Sequence, residues 1–446
     1  MLLKYKNILI CLLFAVSAQA QQELMLHSLT DLWHSNSLNP ALFPEGKRIA
    51  SGLPAYSIDF AHSGDITYND IFRRSGDRTI IDLDNAIGKL EPENDVYFDQ
   101  RIETFSLGIR SRNEKWGFQI GHAIHLNGWV NYPKSLAEVI WNGNAPYIGD
   151  TLVIGPQTNI FDWQEWSVGV SRRIANLTLG ARVKFLTGIS ALRTDEDHRL
   201  MSVYTDPDIY QLTLTTDYAF YSSSIISAID TAGLGFDFVT SSFGKSPSTQ
   251  NTGVAFDLGL EAKLSEHLRV NAAVLNAGGS INWKKNASYF SSRNQYQYEG
   301  STVPGTDIIN GTDSLDFGNT LDTLNDIFQF AKTARSFKTD LPLRILAGAS
   351  FDFSERWRLG VNAYYQNLEG RTNTAVGVNL RWLPLKWLSL GGMYSANSRS
   401  ASNLGFHLAL TPGPVQVYFI SDNLLNAFSL KSSPAVNLRA GASLVF

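Results

Sequence analysis

The stretch Ala435 to Phe446 constrains the fold more than any other part of this chain. Val436, Leu438, Ala440, Ala442, Leu444 and Phe446 alternate with Asn437, Arg439, Gly441, Ser443 and Val445. Successive strand side chains point to opposite faces, so this reads as a strand with one apolar and one mostly polar face. Exposed at the end of a soluble protein, such a strand would invite aggregation. As the closing strand of a transmembrane barrel, its apolar face meets lipid.

The pattern recurs. Phe105, Leu107 and Ile109 alternate with Ser106, Gly108 and Arg110, and Leu177 to Phe185, Val254 to Glu261, Arg358 to Tyr365, Val376 to Trp382 and Leu404 to Leu410 do the same. A tilted strand needs about 9–11 residues to cross a membrane, and these runs are of that order. Candidate strands fall at 52–62, 102–111, 115–125, 163–173, 176–188, 253–264, 267–278, 341–353, 356–366, 372–383, 387–396, 403–411, 414–421 and 435–446.

Linker lengths give an independent test, because periplasmic turns are short and outer loops long. Links at 112–114, 174–175, 265–266, 354–355, 385–386 and 412–413 are short and alternate with the longest, 63–101, 126–162, 189–252 and 279–340. The expected fold is therefore all-β, a transmembrane antiparallel up-and-down barrel over 52–446 with about fourteen strands. Residues 209–229 hold one more strand pair if the count is sixteen. Reading Tyr210 to Tyr221 as an outer extension keeps it at fourteen. Parity places Phe446 at the periplasmic edge, where an aromatic end looks like the signal read by the barrel-assembly machinery.

The amino terminus agrees on the address. Lys4 and Lys6, an apolar run from Ile8 to Val16 and Ala18-Gln19-Ala20 form a secretory signal over 1–20, which predicts export to a Gram-negative outer membrane. Cys11 is the chain's one cysteine and leaves with that segment, so neither disulfides nor thiolate metal sites are expected. Removing Lys4 and Lys6 leaves 35 basic against 41 acidic residues, a net of −6, which argues against a nucleic-acid partner. The expected partners are outer-membrane lipid and lipopolysaccharide, the assembly machinery, and a hydrophobic ligand or a secretion partner.

Residues 21–51 are too short for a domain and read as a periplasmic tail or a plug in the lumen. Residues 320–334 carry Leu321, Leu324, Ile327, Phe328 and Ala331 on one face at helical spacing. The candidate lumen residues are Arg110, Arg182, Lys184, Asp257, Glu261, Arg269, Asp352, Arg358, Arg381 and Arg439, all on the polar face of their runs. They either select a passing solute or form a matched ion-pair network. Glycines at 108, 180, 259, 360, 377, 405 and 441 share that face, leaving room for a channel or plug, or letting strands coil tightly.

Catalytic and cofactor motifs are not evident: H-E-x-x-H, G-x-S-x-G and P-loop patterns are all missing from the sequence. No cofactor, metal or catalytic residue is expected. His122 and His125 fall on opposite strand faces. The acidic cluster 195–197, with Asp206 and Asp208, is either a solvated loop face or a cation site bridging lipopolysaccharide. A rim enzyme would need a Ser–His pair within hydrogen-bond reach.

The stretch "HSLTDLWHSNSLNPALFPEGKRIASGLPAYSIDF", with Asn39-Pro40-Ala41 and Gly52-Leu53-Pro54, resembles the start of a Bacteroidetes outer-membrane barrel family of unassigned function. Stretches 267–283 and 341–366 are also similar to it. An early N-P-A occurs as well in FadL-type fatty-acid transporters and PorV-type secretion barrels, which implies a fourteen-stranded barrel. The chain lacks a counterpart of the transporter's longer amino-terminal hatch. The resemblance and the Gly-lined interior together imply a pore or transporter for small or hydrophobic solutes. The alternative is a non-transporting interaction barrel serving secretion, surface attachment or envelope organisation.

Overall fold

The computed structural model describes residues 23–64, 66–75, 78–81, 83–224, 226–230, 233–236, 250–298, 330–397, 403–423 and 435–446. Fourteen antiparallel strands close a barrel. In chain order they are β1 (Ile49–His62), β2 (Glu93–Arg110), β3 (Trp116–Pro133), β4 (Gln157–Ile174), β5 (Leu177–Thr205), β6 (Thr252–Lys263) and β7 (Leu268–Trp283). They continue as β8 (Leu343–Ser354), β9 (Trp357–Leu368), β10 (Arg371–Leu385), β11 (Leu388–Asn397), β12 (Asn403–Leu410), β13 (Val415–Ser421) and β14 (Ala435–Val445). Each pairs with its sequence neighbours, and β14 closes on β1 through Ala50↔Val445 to Ala61↔Ala435. The Phe446 carbonyl accepts the Arg48 and Ile49 N–H groups, so the seam is hydrogen-bonded to its last residue.

The short links gather at one end, here the turn end. Leu268 pairs with Phe351, which puts the 264–267 and 355–356 turns side by side, as link parity requires. Strand boundaries match the sequence reading closely at this end and poorly at the other. Residues 93–101, 126–133, 157–162 and 189–205, expected in loops, continue the ladder instead. There the two-residue period breaks, with apolar residues side by side at Val96-Tyr97-Phe98, Trp129-Val130 and Ile160-Phe161, so apolar spacing could not reveal it, while backbone pairing carries the strands on.

Beyond the barrel, Leu212–Ser223 pairs with the upper half of β5 and with Ala287–Tyr298, forming a sheet that stands above the loop end. The extension reading of Tyr210 to Tyr221 and the count of fourteen follow from that pairing. The helix expected over 320–334 lies outside the described residues as far as 329. Ala331–Ala334 is a strand paired with Ser288–Ser291, which corrects the end of that expectation.

One face of the barrel wall is greasy to the outside: Phe118, Ile120, Trp166, Val168, Phe185, Leu258, Val361 and Val376 are all exposed. An apolar belt this continuous is stable against hydrocarbon and not against water. Trp116, Trp357, Trp382 and Trp387 ring its turn end, with Trp357 and Trp382 stacked at 5.6 Å. No helix of the described residues is long and apolar enough to cross a membrane.

Residues 23–43 lie inside the barrel. A short helix α1 (Leu24–Ser28) and a 3-10 turn (Trp33–Ser37) project Leu24, Met25, Leu26, Leu29, Leu32 and Leu38 against inward Leu275, Leu346, Tyr364, Met393, Tyr418 and Ile420. Each such side chain contributes about 1.5–3 kcal/mol when fully buried. The interior is thus partly apolar, more so than the mostly polar face of the strand pattern implies.

Candidate functional site

The segment 23–43 is held by side chains. Its backbone–backbone hydrogen bonds close within the segment, for example His27 to Glu23, Leu38 to Ser35 and Leu42 to Asn39. Asn39 is one anchor and is fully buried. Its amide donates to the Leu260 carbonyl on β6 at 3.0 Å and to the Ala272 carbonyl on β7 at 3.2 Å. Its oxygen accepts the Ala41 N–H at 2.9 Å, which shapes the N-P-A turn.

Two inward glycines make the seat. A Cβ at Gly259 would lie 2.0 Å from Asn39 Oδ1, and one at Gly180 would lie 2.4 Å from the Ala41 nitrogen. Arg182 grips the same turn, donating to the Asn36 carbonyl at 2.5 Å, Asn36 Oδ1 at 2.7 Å and the Ser37 carbonyl at 3.2 Å. Gln119 donates to the Pro40 carbonyl at 3.2 Å. On the other side Trp33 packs over Gly108 and donates to Ser106 Oγ at 2.8 Å.

Two carboxylates of the segment, and Glu45 just after it, each meet basic side chains of the wall. Glu23 contacts Arg344 at 3.2 Å and Arg439 at 3.3 Å. Asp31 contacts Arg381 and, at 3.4 Å, Arg358. Glu45 contacts Lys263 and, at 3.2 Å, Arg269. Burial alone would raise the Glu23 carboxyl, but Arg344 and Arg439 outweigh it and hold the group at about 2. Asp31 is likewise driven below the usual carboxylate range, burial being overcome by Arg381 and Arg358. His27 is held down at about 4, because burial disfavours its cation.

Above the segment, side chains from opposite walls meet across the lumen. Tyr97 on β2 accepts from Gln366 on β9 at 3.2 Å, and Tyr364 donates to Gln366 at 2.7 Å. Arg344 on β8 pairs with Asp99 on β2. Arg371 on β10 pairs with Asp95 at 2.5 Å and lies 3.8 Å from the Trp129 ring centroid. This bridge forms one wall of a loop-end cavity of about 390 Å³, bounded also by His62, Leu368 and Asn373. Two voids at the margins of the inner segment measure about 20 Å³ each.

The residues singled out from sequence fall around this stopper. Arg182 and Lys184 share Asp257 at 3.3 and 3.0 Å, and Lys184 reaches Glu165 at 3.6 Å. Arg358 pairs with Asp352 at 2.5 Å, and Arg269 lies 3.8 Å from the same carboxylate. Arg110 is buried with its guanidinium 4.5 Å over the Phe43 ring. Glu261 is half-buried on β6, two residues from the Lys263 that holds Glu45. The sequence missed Glu23, Asp31, Glu45, Arg344 and the Tyr97–Gln366 bridge. The three acids are isolated in an irregular segment, and the signal that could have found them is the excess of cations on the inward face.

Ser389 Oγ lies 3.0 Å from His407 Nε2, the geometry a nucleophilic pair needs. Among the described residues His407 Nδ1 has no hydrogen-bond partner and no carboxylate orients the ring. His122 and His125 diverge, His122 bonding Thr104 and His125 facing Glu165. Asp195 accepts from Tyr221 and Tyr289, and among the described residues no cluster of three or more acidic, His or Cys side chains has a metal-binding arrangement.

No curated protein matches the chain. Solved structures similar to it include the toluene transporter TbuX of Ralstonia pickettii, at 10% identity and a TM-score of 0.44, covering 93% of each chain. A FadL homologue of Pseudomonas aeruginosa aligns at 13% identity and a TM-score of 0.42, over 91% of this chain and 88% of that one. An outer-membrane channel of Pseudomonas putida F1 aligns at 9% identity and 0.31, over 91% and 100%. These scores carry no functional argument. A family model matches residues 40–422, beginning within the N-P-A turn, and the chain belongs to that family of unknown function, DUF5723.

Proposed function

We propose that this protein is an outer-membrane transporter, closed in this arrangement, that admits small solutes from the loop-end cavity toward the periplasm. One observation carries the reading. The barrel wall is complete without the stopper and the bridge, and both closures are made by side chains, so either can part without costing a strand pairing. The apolar belt supports the membrane address, and the turn end is the periplasmic side by the rule that outer loops are long. The cavity lies within the range of small-molecule sites, about 300–1,000 Å³. The mixed lining of Trp129, Tyr97 and Leu368 with Arg371 and Asn373 suits solutes with an apolar body and a polar edge.

The test is uptake into proteoliposomes. Wild-type protein should admit small solutes slowly, and Arg371→Ala with Gly259→Val, which part the bridge and leave the N-P-A turn no room, should accelerate uptake several-fold. Barrels that insert correctly yet stay sealed after both changes would sink the proposal. The sheet standing above the loop end favours a second reading, a non-transporting interaction barrel. Recovery of one stoichiometric partner, together with no uptake, would establish it.

A further inference from the structure

The geometry points to a phospholipid-binding site on the outside of the barrel, directly behind the seat of the N-P-A turn. A groove of about 490 Å³ runs over β3 to β8 near the turn end, lined mainly by apolar atoms of Leu179, Ala181, Leu258 and Ala272 with Trp116 and Arg172. It exists because small residues interrupt rows of large ones. Ala181 stands between Val170 and Leu258, and Ala272 beside Leu260 and Ala347. Gly180 and Gly259 thin the wall further, for they carry no side chain toward the stopper inside.

The occupant follows from the two ends of the groove. Its body faces the hydrocarbon layer, so an acyl chain fills it. Its turn-end rim holds Arg172, exposed and paired across the ladder with Trp116, its guanidinium 4.9 Å from the indole centroid. Among the described residues Arg172 has no carboxylate partner, unlike Arg173, which contacts Glu114 at 3.2 Å. A cation without a counterion, steadied on an aromatic ring at the membrane interface, is complementary to a lipid phosphate. The lipid is a glycerophospholipid of the leaflet at the turn end, with one acyl chain in the groove and its phosphate on Arg172.

The site rests on the membrane placement proposed above and is independent of transport. Its occupant also backs the strands that Asn39 grips from inside, since Leu260 and Ala272 present carbonyls to Asn39 and side chains to the groove. Filling the groove therefore stiffens the wall on which the stopper sits.

Native mass spectrometry of the full chain, released from mild detergent after exchange into palmitoyl-oleoyl phosphatidylglycerol or phosphatidylcholine, tests this. Wild type should retain one phosphatidylglycerol through activation that strips the rest. Ala181→Phe, which fills the groove from the lipid side, should lose it. Arg172→Gln should lose the several-fold preference for phosphatidylglycerol and keep the fold, checked by heat-modifiable gel mobility. Equal retention by wild type and Ala181→Phe would overturn the site, as would no retained lipid. A dimer that Ala181→Phe dissolves would overturn it in favour of a second copy of the chain. Loss of uptake with lipid still retained would refute transport and leave the site standing.

Discussion

Replacing Gly259 by valine should release the stopper and leave the barrel intact. Valine suits a strand, and β6 pairs on both sides, so the new Cβ cannot move away. It would lie 2.0 Å from Asn39 Oδ1 and 2.8 Å from Pro40 Cδ, so the N-P-A turn must withdraw. Withdrawal breaks the two bonds from Asn39 to the β6 and β7 carbonyls and the bond from Gln119 to the Pro40 carbonyl. At a net contribution near 1 kcal/mol each, the docked state loses about 2–4 kcal/mol. The undocked fraction should rise by roughly 30- to 1,000-fold. Ser35 is fully buried, and Cys11 lies in the expected signal segment, so a Ser35→Cys reporter gives the readout as its maleimide labelling rate. Gly392→Ala is the control, because a Cβ there meets nothing closer than 3.8 Å. If Gly259→Val labels no faster than the reporter alone, with normal heat-modifiable mobility, the anchoring role assigned to Asn39 is wrong.

Other outcomes follow from the same contacts. Glu23→Gln leaves buried Arg344 and Arg439 with less countercharge and should weaken docking by about 3 kcal/mol, read as faster hydrogen exchange in residues 23–43. The Glu23 carboxyl is depressed to about 2, so its contribution is full above its ordinary value of 4.5 and is lost as pH falls from there through 2. His27, held at about 4, takes up a proton more readily undocked, so docking also weakens as pH falls from 6.5 to 4; His27→Gln should abolish that upper part of the acid profile in the same labelling assay. Deleting Leu444-Val445-Phe446 removes the Val445↔Ala50 pair and the carbonyl that takes the Arg48 and Ile49 N–H groups, and should block insertion; normal outer-membrane yield would refute this.

Much of this architecture was legible because lipid enforces a two-residue period wherever a strand crosses it. From Leu359 to Tyr365 or Val376 to Trp382 the outward side chains must be apolar, and spacing alone locates the strands. Above the membrane that demand ends. Glu93 to Arg101 and Arg193 to Thr205 pair through backbone with water on one side, and their sequence gives no sign of it. The inward glycines show a subtler limit. Gly108, Gly180 and Gly259 make room for Trp33, Pro40 and Asn39, whereas Gly360 and Gly441 accommodate wall side chains, Asn379 and Tyr418. Pattern places all five on one face and cannot tell which meet the stopper. Most inward cations were found, Arg344 and Lys263 among the exceptions, along with their wall partners Asp257 and Asp352; Glu23, Asp31 and Glu45 were not, since they meet those cations from a stretch without periodicity.

Single-channel conductance in planar bilayers tests the central claim most directly, that side chains alone close this barrel. Wild-type protein should be silent, and Gly259→Val combined with Arg371→Ala, which frees the stopper and breaks the Asp95–Arg371 link, should conduct. Equal conductance in both proteins, or silence of the variant when Ser35→Cys labelling shows the stopper released, would contradict the account.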